Sequence, residues 1–421
     1  MRAIGVIFVS FAVLTFAQDE YQPSIYGMKG FRIKTDTSEQ RDYISNLEGQ
    51  PGFDFLKLPR NPDSPIEILV APEQLDSFKD FLNKKNIKYK VFLEDVSKVI
   101  ERNLVLQKRA HRLRSNDILK AFPRYNEIVS YLKRIAKQYS NIAELFSIGK
   151  SYEGRDLLGI KISNGTGNKP VVVIDAGIHA REWIAPTTAL YAIDQLVKNT
   201  ANHYLFQDVD IYIIPSINPD GYEYSHRNAF SRLWRKTRSN HSTNVRCRGV
   251  DANRNFDISW MSTGASSNPC SDTYAGPSAF SEPETIALRD FLLSLKGRIR
   301  TYITLHSYGQ YLLYPWAFTS TPPKAEKHLK CVAHAAAAAI YKHQQHEYTI
   351  GNTIEVLYPA SGSSMDWAMS EADAGITYAV ELPGGRYGFA PPPKNIIPVG
   401  RETFDALAIF IRYASIGDQV C

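Results

Sequence analysis

The sequence predicts an α/β fold, a mostly parallel, twisted mixed sheet sandwiched by helices, preceded by a small α+β open sandwich. Three observations carry this. From about residue 115, apolar strand-like runs alternate with helical segments, and that alternation builds a parallel sheet between helical layers. Before residue 100, short strand-like runs flank one amphipathic helix. Between the two, Glu101–Arg114 carries Arg102, Lys108, Arg109, Arg112 and Arg114 and shows no apolar periodicity after Leu106. That is the composition of a connector between separate units, and a chain of 421 residues has room for both.

Taken in order, the chain opens on Arg2 and the apolar run Ile4–Phe16, with small residues at Thr15 and Ala17. This reads as a cleaved secretory signal over residues 1–17. The run is too short for a membrane anchor, since a span takes about 20 apolar residues. Residues 18–112 form the small unit. Ile66–Val70 and Lys88–Leu93 are strand-like, and Pro72–Asn83 is helical, with Leu75, Phe78, Phe81 and Leu82 on one face. The basic connector reads as a site for a trypsin-like protease, which needs an exposed Lys or Arg, and both Arg112 and Arg114 qualify. Residues 113–421 form the large unit. Its expected strands are Val171–Asp175, Val209–Ile214, Tyr302–Leu305 and Thr377–Val380. Its expected helices are Thr187–Lys198, Pro283–Leu295, Ala325–Lys342 and Arg401–Tyr413, and the Ala335–Ala339 tract reads as packed helix.

Hydrophobic content of 44% and charged content of 22% are ordinary for a globular protein. The net charge of +6 is dispersed, and no basic block is interleaved with aromatics, which argues against nucleic acid as a partner. No later segment is long and apolar enough to span a membrane. Secretion permits disulfides. Cys247 and Cys270 flank a Gly/Ser/Asn-rich stretch and could close a loop, while Cys331 and Cys421 remain without an assigned pairing. Asn164 and Asn240 head glycosylation sequons, whose use is open. A monomer is expected.

The chemistry sits just past strand ends. In open α/β sheets, sites form beyond the carboxyl ends of the strands. His179, Asn218, His306 and Glu381 all follow strand-like runs. His179 and Glu182 lie three residues apart directly after Val171–Ile174, so both can reach one cation. His306, after Thr301–Leu305, is the best third ligand. Imidazole nitrogens and a carboxylate suit zinc, with one position left open for catalysis. Glu381, after Ile376–Val380, is placed to act as a base that is not a ligand. Trp183, Trp234 and Trp367 read as core. His343-Gln344-Gln345-His346-Glu347 looks metal-like, but no strand aims it at the other ligands, so it reads as an exposed helix end.

Six segments, in this order, carry a resemblance. They are His179-Ala180-Arg181-Glu182-Trp183, Trp234–Arg238, Asp251-Ala252-Asn253-Arg254-Asn255, Leu305–Tyr308, Tyr358–Gly362, and Glu381-Leu382 followed by Gly385–Phe389. Together they resemble a funnelin metallocarboxypeptidase of the A/B subfamily over about residues 115–415, and residues 18–112 resemble that family's activation propeptide. The resemblance implies a zymogen that removes C-terminal residues from peptides and proteins, with one zinc ion per catalytic domain. It implies His179, Glu182 and His306 as zinc ligands and Glu381 as general base. Arg235 would stabilise the oxyanion. Asn253, Arg254 and Tyr358 would hold the terminal carboxylate, to which a guanidinium forks well. Arg181, Ser307, Tyr308 and Phe389 would line outer subsites, and Asp251 would orient a ligating imidazole. The Ser307–Tyr308 peptide bond should be cis.

The same resemblance puts Met365 at the base of the pocket for the C-terminal side chain, with Thr353, Ala360 and Ala379 around it. B-type enzymes carry Asp at the base and A-type enzymes an aliphatic residue. Methionine is uncharged and adaptable, so aromatic and aliphatic C-terminal residues are the expected substrates. Asp366 is adjacent but is acidic in A-type enzymes too. The loop Glu381–Tyr387 is one residue shorter than the family's usual pattern. Two rivals stand beside this reading. A catalytically dead peptide binder would lack a ligand or the base, and none is missing. An endopeptidase would have no use for a carboxylate clamp.

Overall fold

The structure is a computed structural model describing residues 25–59, 64–113, 117–165, 167–243, 247–384 and 388–421, without the side chains of residues 343 and 344. The expected signal segment, Arg114 and the Gly385–Tyr387 part of the last motif lie outside the described residues.

The N-terminal unit runs β1 (Lys29–Lys34), α1 (Ser38–Ser45), β2 (Phe53–Lys57), β3 (Ile66–Val70), α2 (Leu75–Lys84) and β4 (Lys88–Leu93). Its four strands pair antiparallel in the order β2-β3-β1-β4. Thr37 caps α1 by accepting from the Gln40 N–H at 3.1 Å. Alternate residues of the sheet, Phe31, Ile33, Ile66, Ile68 and Val70, face Ile44 of α1 and Phe78 and Leu82 of α2. This is the expected small α+β sandwich.

The connector differs from the expectation. It is a helix, α3 (Val96–Leu113), to within one residue of Arg114. Its buried positions are Val96, Ser97, Ile100, Asn103 and Gln107, a helical spacing whose second half is polar. Asn103 Nδ2 donates to the carbonyls of Ala390 at 3.0 Å and Pro391 at 2.9 Å. Gln107 exchanges hydrogen bonds with the Phe122 backbone in both directions, and His111 Nε2 lies 2.9 Å from the same carbonyl. Amides serve here where apolar residues usually do, so hydrophobic periodicity stops while the helix continues. Arg102, Lys108, Arg109 and Arg112 are exposed.

The large unit contains α4 (Tyr125–Gln138), β5 (Ala143–Lys150), β6 (Asp156–Ile162), β7 (Val171–Ala176), α5 (Ile184–Lys198), β8 (Asp210–Ile214), α6 (Pro219–Ser225), α7 (Pro283–Ser294), β9 (Ile299–Ser307), β10 (Tyr311–Tyr314), α8 (Glu326–Gln344), β11 (Thr349–Asn352), α9 (Thr353–Val356), α10 (Ser364–Ser370), β12 (Ile376–Leu382) and α11 (Ile396–Ile416). The eight-stranded sheet has the order β11-β10-β12-β9-β7-β8-β6-β5. Its centre, β12-β9-β7-β8, is parallel, and antiparallel pairings lie towards both edges. Every residue of β7 is buried, because helices cover both faces and the strand needs no polar side. Val172 and Ile174 face α4, α5, α8 and α11, while Val171 and Val173 face α7 and α10.

Cys247 is bonded to Cys270, and Cys331 of α8 to Cys421, which resolves the pairing left open. Trp183, Trp234 and Trp367 are buried. His346 follows the end of α8, and its Nδ1 lies 2.7 Å from Glu402. Among the described residues, no helix is long and apolar enough to cross a membrane.

Candidate active site

The parallel centre brings the carboxyl ends of β7, β9 and β12 side by side. After β7 the chain reverses at Gly177, whose φ of 67° suits glycine, and where a Cβ would lie 2.9 Å from Pro186 Cγ. The turn presents His179 and Glu182 before α5 begins. Asn218 holds the turn by donating from Nδ2 to the carbonyls of Ile178 at 3.1 Å and Lys236 at 3.0 Å. The Ala180 N–H bonds the Arg235 carbonyl at 3.0 Å. His306 comes from β9, and Glu381 sits opposite it in register on β12.

His179 Nδ1 lies 2.8 Å from Glu182 Oε1, and His306 Nδ1 lies 3.2 Å from both His179 Nδ1 and Glu182 Oε2. All three side chains are buried, and their ligand atoms lie within 4.8 Å of one another. Each ring's other nitrogen is engaged. His179 Nε2 is 3.1 Å from Asp251 Oδ1, and His306 Nε2 is 3.2 Å from Thr304 Oγ1. Both nitrogens of His179 face carboxylates; in the neutral ring, a proton on Nε2 directed at Asp251 leaves Nδ1 a lone pair. Lone pairs and a carboxylate oxygen this close repel unless a cation sits between them. The donor set therefore fits a divalent metal taking two imidazoles and a carboxylate, as zinc does.

Asp251 ties this cluster to Arg235. Its Oδ2 accepts from Arg235 Nε at 3.0 Å and Nη2 at 2.7 Å. Burial opposes its charge, but Arg235 and His179 outweigh burial and hold the carboxyl well below its ordinary range. The pair fixes the guanidinium beside the cluster of His179, Glu182 and His306. Burial pushes the Glu381 carboxyl up to about 7, with Glu182 adding to the rise and His306 and Arg235 opposing it. Raised carboxyls in clefts are frequent among general bases.

Arg181, Arg254, Ser307, Tyr308, Tyr358 and Phe389 line the same cavity as the cluster, with Asn253 adjacent to Arg254. Asn253 Oδ1 accepts from the Ser364 N–H at 3.0 Å. Arg254 donates from Nε to Gly264 O at 2.8 Å and from Nη1 to Asn253 O at 3.0 Å, and its guanidinium carbon is 5.7 Å from the Tyr358 ring centroid. Ser307 N donates to Glu182 Oε2 at 3.1 Å, and the Ser307–Tyr308 peptide is cis, as expected. The Tyr308 and Phe389 rings meet edge to face at 5.0 Å, and Arg181 lies 4.2 Å from the Phe389 ring centroid. Met365 lies in an apolar cluster with Tyr311, Leu313, Leu357 and Ala379, against which Tyr358 packs. Asp366 beside it accepts from the Ala317 N–H at 2.8 Å.

The N-terminal unit closes this cleft. Glu48, Asp54 and Phe55 line the same cavity as His179, Arg235, Arg254, Tyr358 and Glu381. Arg181 Nη1 donates to Asp54 Oδ2 at 2.8 Å, and Tyr308 OH donates to Glu67 Oε2 at 3.2 Å. Burial raises the Glu48 carboxyl, and Arg254 and then Arg235 pull it back. None of these acids was singled out in the sequence. Glu48 lies in the turn run Glu48-Gly49-Gln50-Pro51-Gly52, where an acidic residue is ordinary surface, and no linear signal marks it.

A parallel strand bundle carrying a His/Glu/His cluster, a buried carboxyl and a tethered guanidinium at its carboxyl ends defines a metallohydrolase, here with a second unit across its cleft. A model of the family described as Zinc carboxypeptidase matches residues 128–406, and one described as Carboxypeptidase activation peptide matches residues 31–103. The chain belongs to the zinc carboxypeptidase family and carries that family's activation peptide. It is 37% identical over 391 residues to Zinc carboxypeptidase A 1 of Drosophila melanogaster, spanning 90% of this chain and 89% of that one. It is 42% identical over 291 residues to Carboxypeptidase B of Astacus astacus, spanning 69% of this chain and 95% of the other. The crystal structure of carboxypeptidase A from Helicoverpa armigera superposes with a TM-score of 0.89 at 31% identity, covering 94% of this chain and 100% of that one.

Proposed function

We propose that this enzyme is a secreted, monomeric exopeptidase, latent until a trypsin-like protease cuts near Arg112 or Arg114, that removes aromatic and aliphatic residues from peptide C-termini. The observation that carries the specificity is that Met365 is buried among the apolar side chains of Leu313, Leu357 and Ala379. A Lys or Arg head buried there would lack a counter-charge, which is costly. Asp366 beside it is a poor counter-charge, because burial pushes its carboxyl up to about 7 and disfavours ionisation.

His179, Glu182 and His306 would hold zinc, which supplies Lewis-acid activation of water and of the scissile carbonyl. Glu381 accepts a proton from the attacking water at its carboxylate and delivers it to the nitrogen of the leaving amine. Arg235 donates to the carbonyl oxygen as negative charge develops there. Its tether to Asp251 sets that geometry in advance, so little reorganisation is needed during reaction. Asn253, Arg254 and Tyr358 receive the substrate's terminal carboxylate, and Arg181, Ser307, Tyr308 and Phe389 line the positions upstream.

In the uncut chain, Glu48 shares the cavity with Arg254, and Asp54 bonds Arg181, which supports latency. The test is tryptic processing followed by assay of blocked dipeptides ending in Phe, Leu, Arg or Lys, each with a free and an amidated C-terminus. Faster cleavage of C-terminal Phe or Leu, lost on amidation, is expected. Faster cleavage of C-terminal Arg would overturn the specificity, and equal cleavage of amides would overturn the exopeptidase reading.

A further inference from the structure

The metal-site histidines differ in what stands behind them, and the second arrangement has a built-in direction. β7 and β9 are parallel neighbours with Asp175 in register with Thr304. Side chains on a strand alternate, so Tyr302, Thr304 and His306 share one face of β9. Thr304 Oγ1 lies 2.8 Å from Asp175 Oδ1 and 3.2 Å from His306 Nε2, and the Tyr302 hydroxyl donates to Asp175 Oδ2. Asp175, Thr304 and Tyr302 are all 0% exposed.

The proton positions follow from donor counts. Asp175 takes one hydroxyl donor on each oxygen. Threonine has a single hydroxyl proton, and it points at Asp175. Thr304 oxygen therefore accepts, and His306 Nε2 must be the N–H that donates to it. In the neutral ring that leaves the His306 Nδ1 lone pair facing His179 and Glu182. For His179, Asp251 does the same job directly. An acidic residue ending the otherwise apolar run Val171-Val172-Val173-Ile174 has no packing reason to be there. A carboxylate with two hydroxyl bonds, buried among strands, is costly to keep unless it orders something.

We infer that Asp175 is a positioning residue which, relayed through Thr304, fixes the tautomer and ring orientation of His306 and thereby tightens the metal site. This rests on the proposed ligand set His179, Glu182 and His306.

The test uses the full-length chain with Zn²⁺ alone as probe. It reads the zinc dissociation constant by competition with a chromophoric chelator, the rate of chelator-driven release, and the thermal midpoint of the metal-free protein. Wild type should bind one zinc per chain. Thr304→Val should weaken binding by about 10- to 100-fold, the range seen when partners of ligating histidines are removed. Thr304→Ser, which keeps the hydroxyl, should restore affinity to within about threefold of wild type, and Asp175→Asn should fall between the two. Adding Asp175→Asn to Thr304→Val should cost no further affinity, since both act through one path. Thr301→Val, on the same strand but bonded to Phe410 O at 3.3 Å, should lower only the thermal midpoint. If wild type binds zinc and Thr304→Val stays within about threefold of it, or loses no more than Thr301→Val, the relay has no positioning role. If Thr304→Val does not fold, the near-isosteric Asp175→Asn decides by the same criterion. A wild-type chain that takes up no zinc would overturn the ligand set itself, and the inference with it.

Discussion

At Glu381 the burial and the proposed chemistry meet in one side chain. The base must be ionised, and burial pushes its carboxyl from the ordinary 4.5 up to about 7. A bound cation pulls it back. The processed enzyme should therefore show kcat/KM rising with pH through a midpoint between 4.5 and about 7. Glu381→Gln should cost about 10²- to 10⁴-fold in kcat and leave no such limb, since an amide accepts no proton. A Gln variant retaining the limb would assign it to another group. Met365 governs the other prediction at this scale. Met365→Asp should shift the ratio of kcat/KM for C-terminal Arg over Phe by about tenfold or more, the size of one charge-assisted hydrogen bond. An unchanged ratio would place the specificity elsewhere.

Among the elements, α3 departs furthest from its sequence pattern. Gln107 holds it to Phe122 through both its amide groups. Gln107→Ala removes both bonds, leaves the Phe122 N–H to find another partner while His111 keeps its carbonyl, and should destabilise the connector by about 1–3 kcal/mol. The expected result is faster tryptic release of the activation peptide with unchanged activity after cleavage. Equal cleavage rates would mean that the helix end frays independently of this anchor. At the start of α7, burial pushes the Glu284 carboxyl up to about 8. Its folded value lies above its unfolded one, so its contribution to stability is full below about 4.5 and is lost as pH rises through about 8. Glu284→Gln should match wild type in thermal midpoint below about pH 4.5 and exceed it increasingly as pH rises towards about 8. A gap that does not widen with pH would show that the carboxyl ionises normally.

For the whole molecule, latency depends on two units whose contacts lie far apart in sequence. The Glu48→Ala/Asp54→Ala double variant removes the acids that face Arg254 and Arg181. Uncut, it should gain about 5- to 30-fold in activity on small blocked dipeptides, the effect of one or two kcal/mol on a closed–open balance. After processing it should equal wild type. An uncut double variant as silent as the uncut wild type would assign latency to the apolar contacts around Tyr358. N-terminal sequencing of the processed enzyme chooses between Arg112 and Arg114.

The residue order alone pointed to the parallel centre of the sheet, to the cluster of His179, Glu182 and His306, and to Glu381. Strands buried on both faces read as unbroken apolar runs, and a parallel sheet collects its chemistry at their carboxyl ends. His179, His306 and Glu381 could therefore be found from what precedes them. Only the tertiary structure decided the rest. The helix at 96–113 was hidden because its buried face uses Asn103 and Gln107, whose bonds to Ala390, Pro391 and Phe122 exist only after folding. Glu48 and Asp54 are ordinary turn and strand acids until the two units meet. Asp175 gains its place beside Thr304 from strand register, a pairing between segments 129 residues apart that no local pattern encodes.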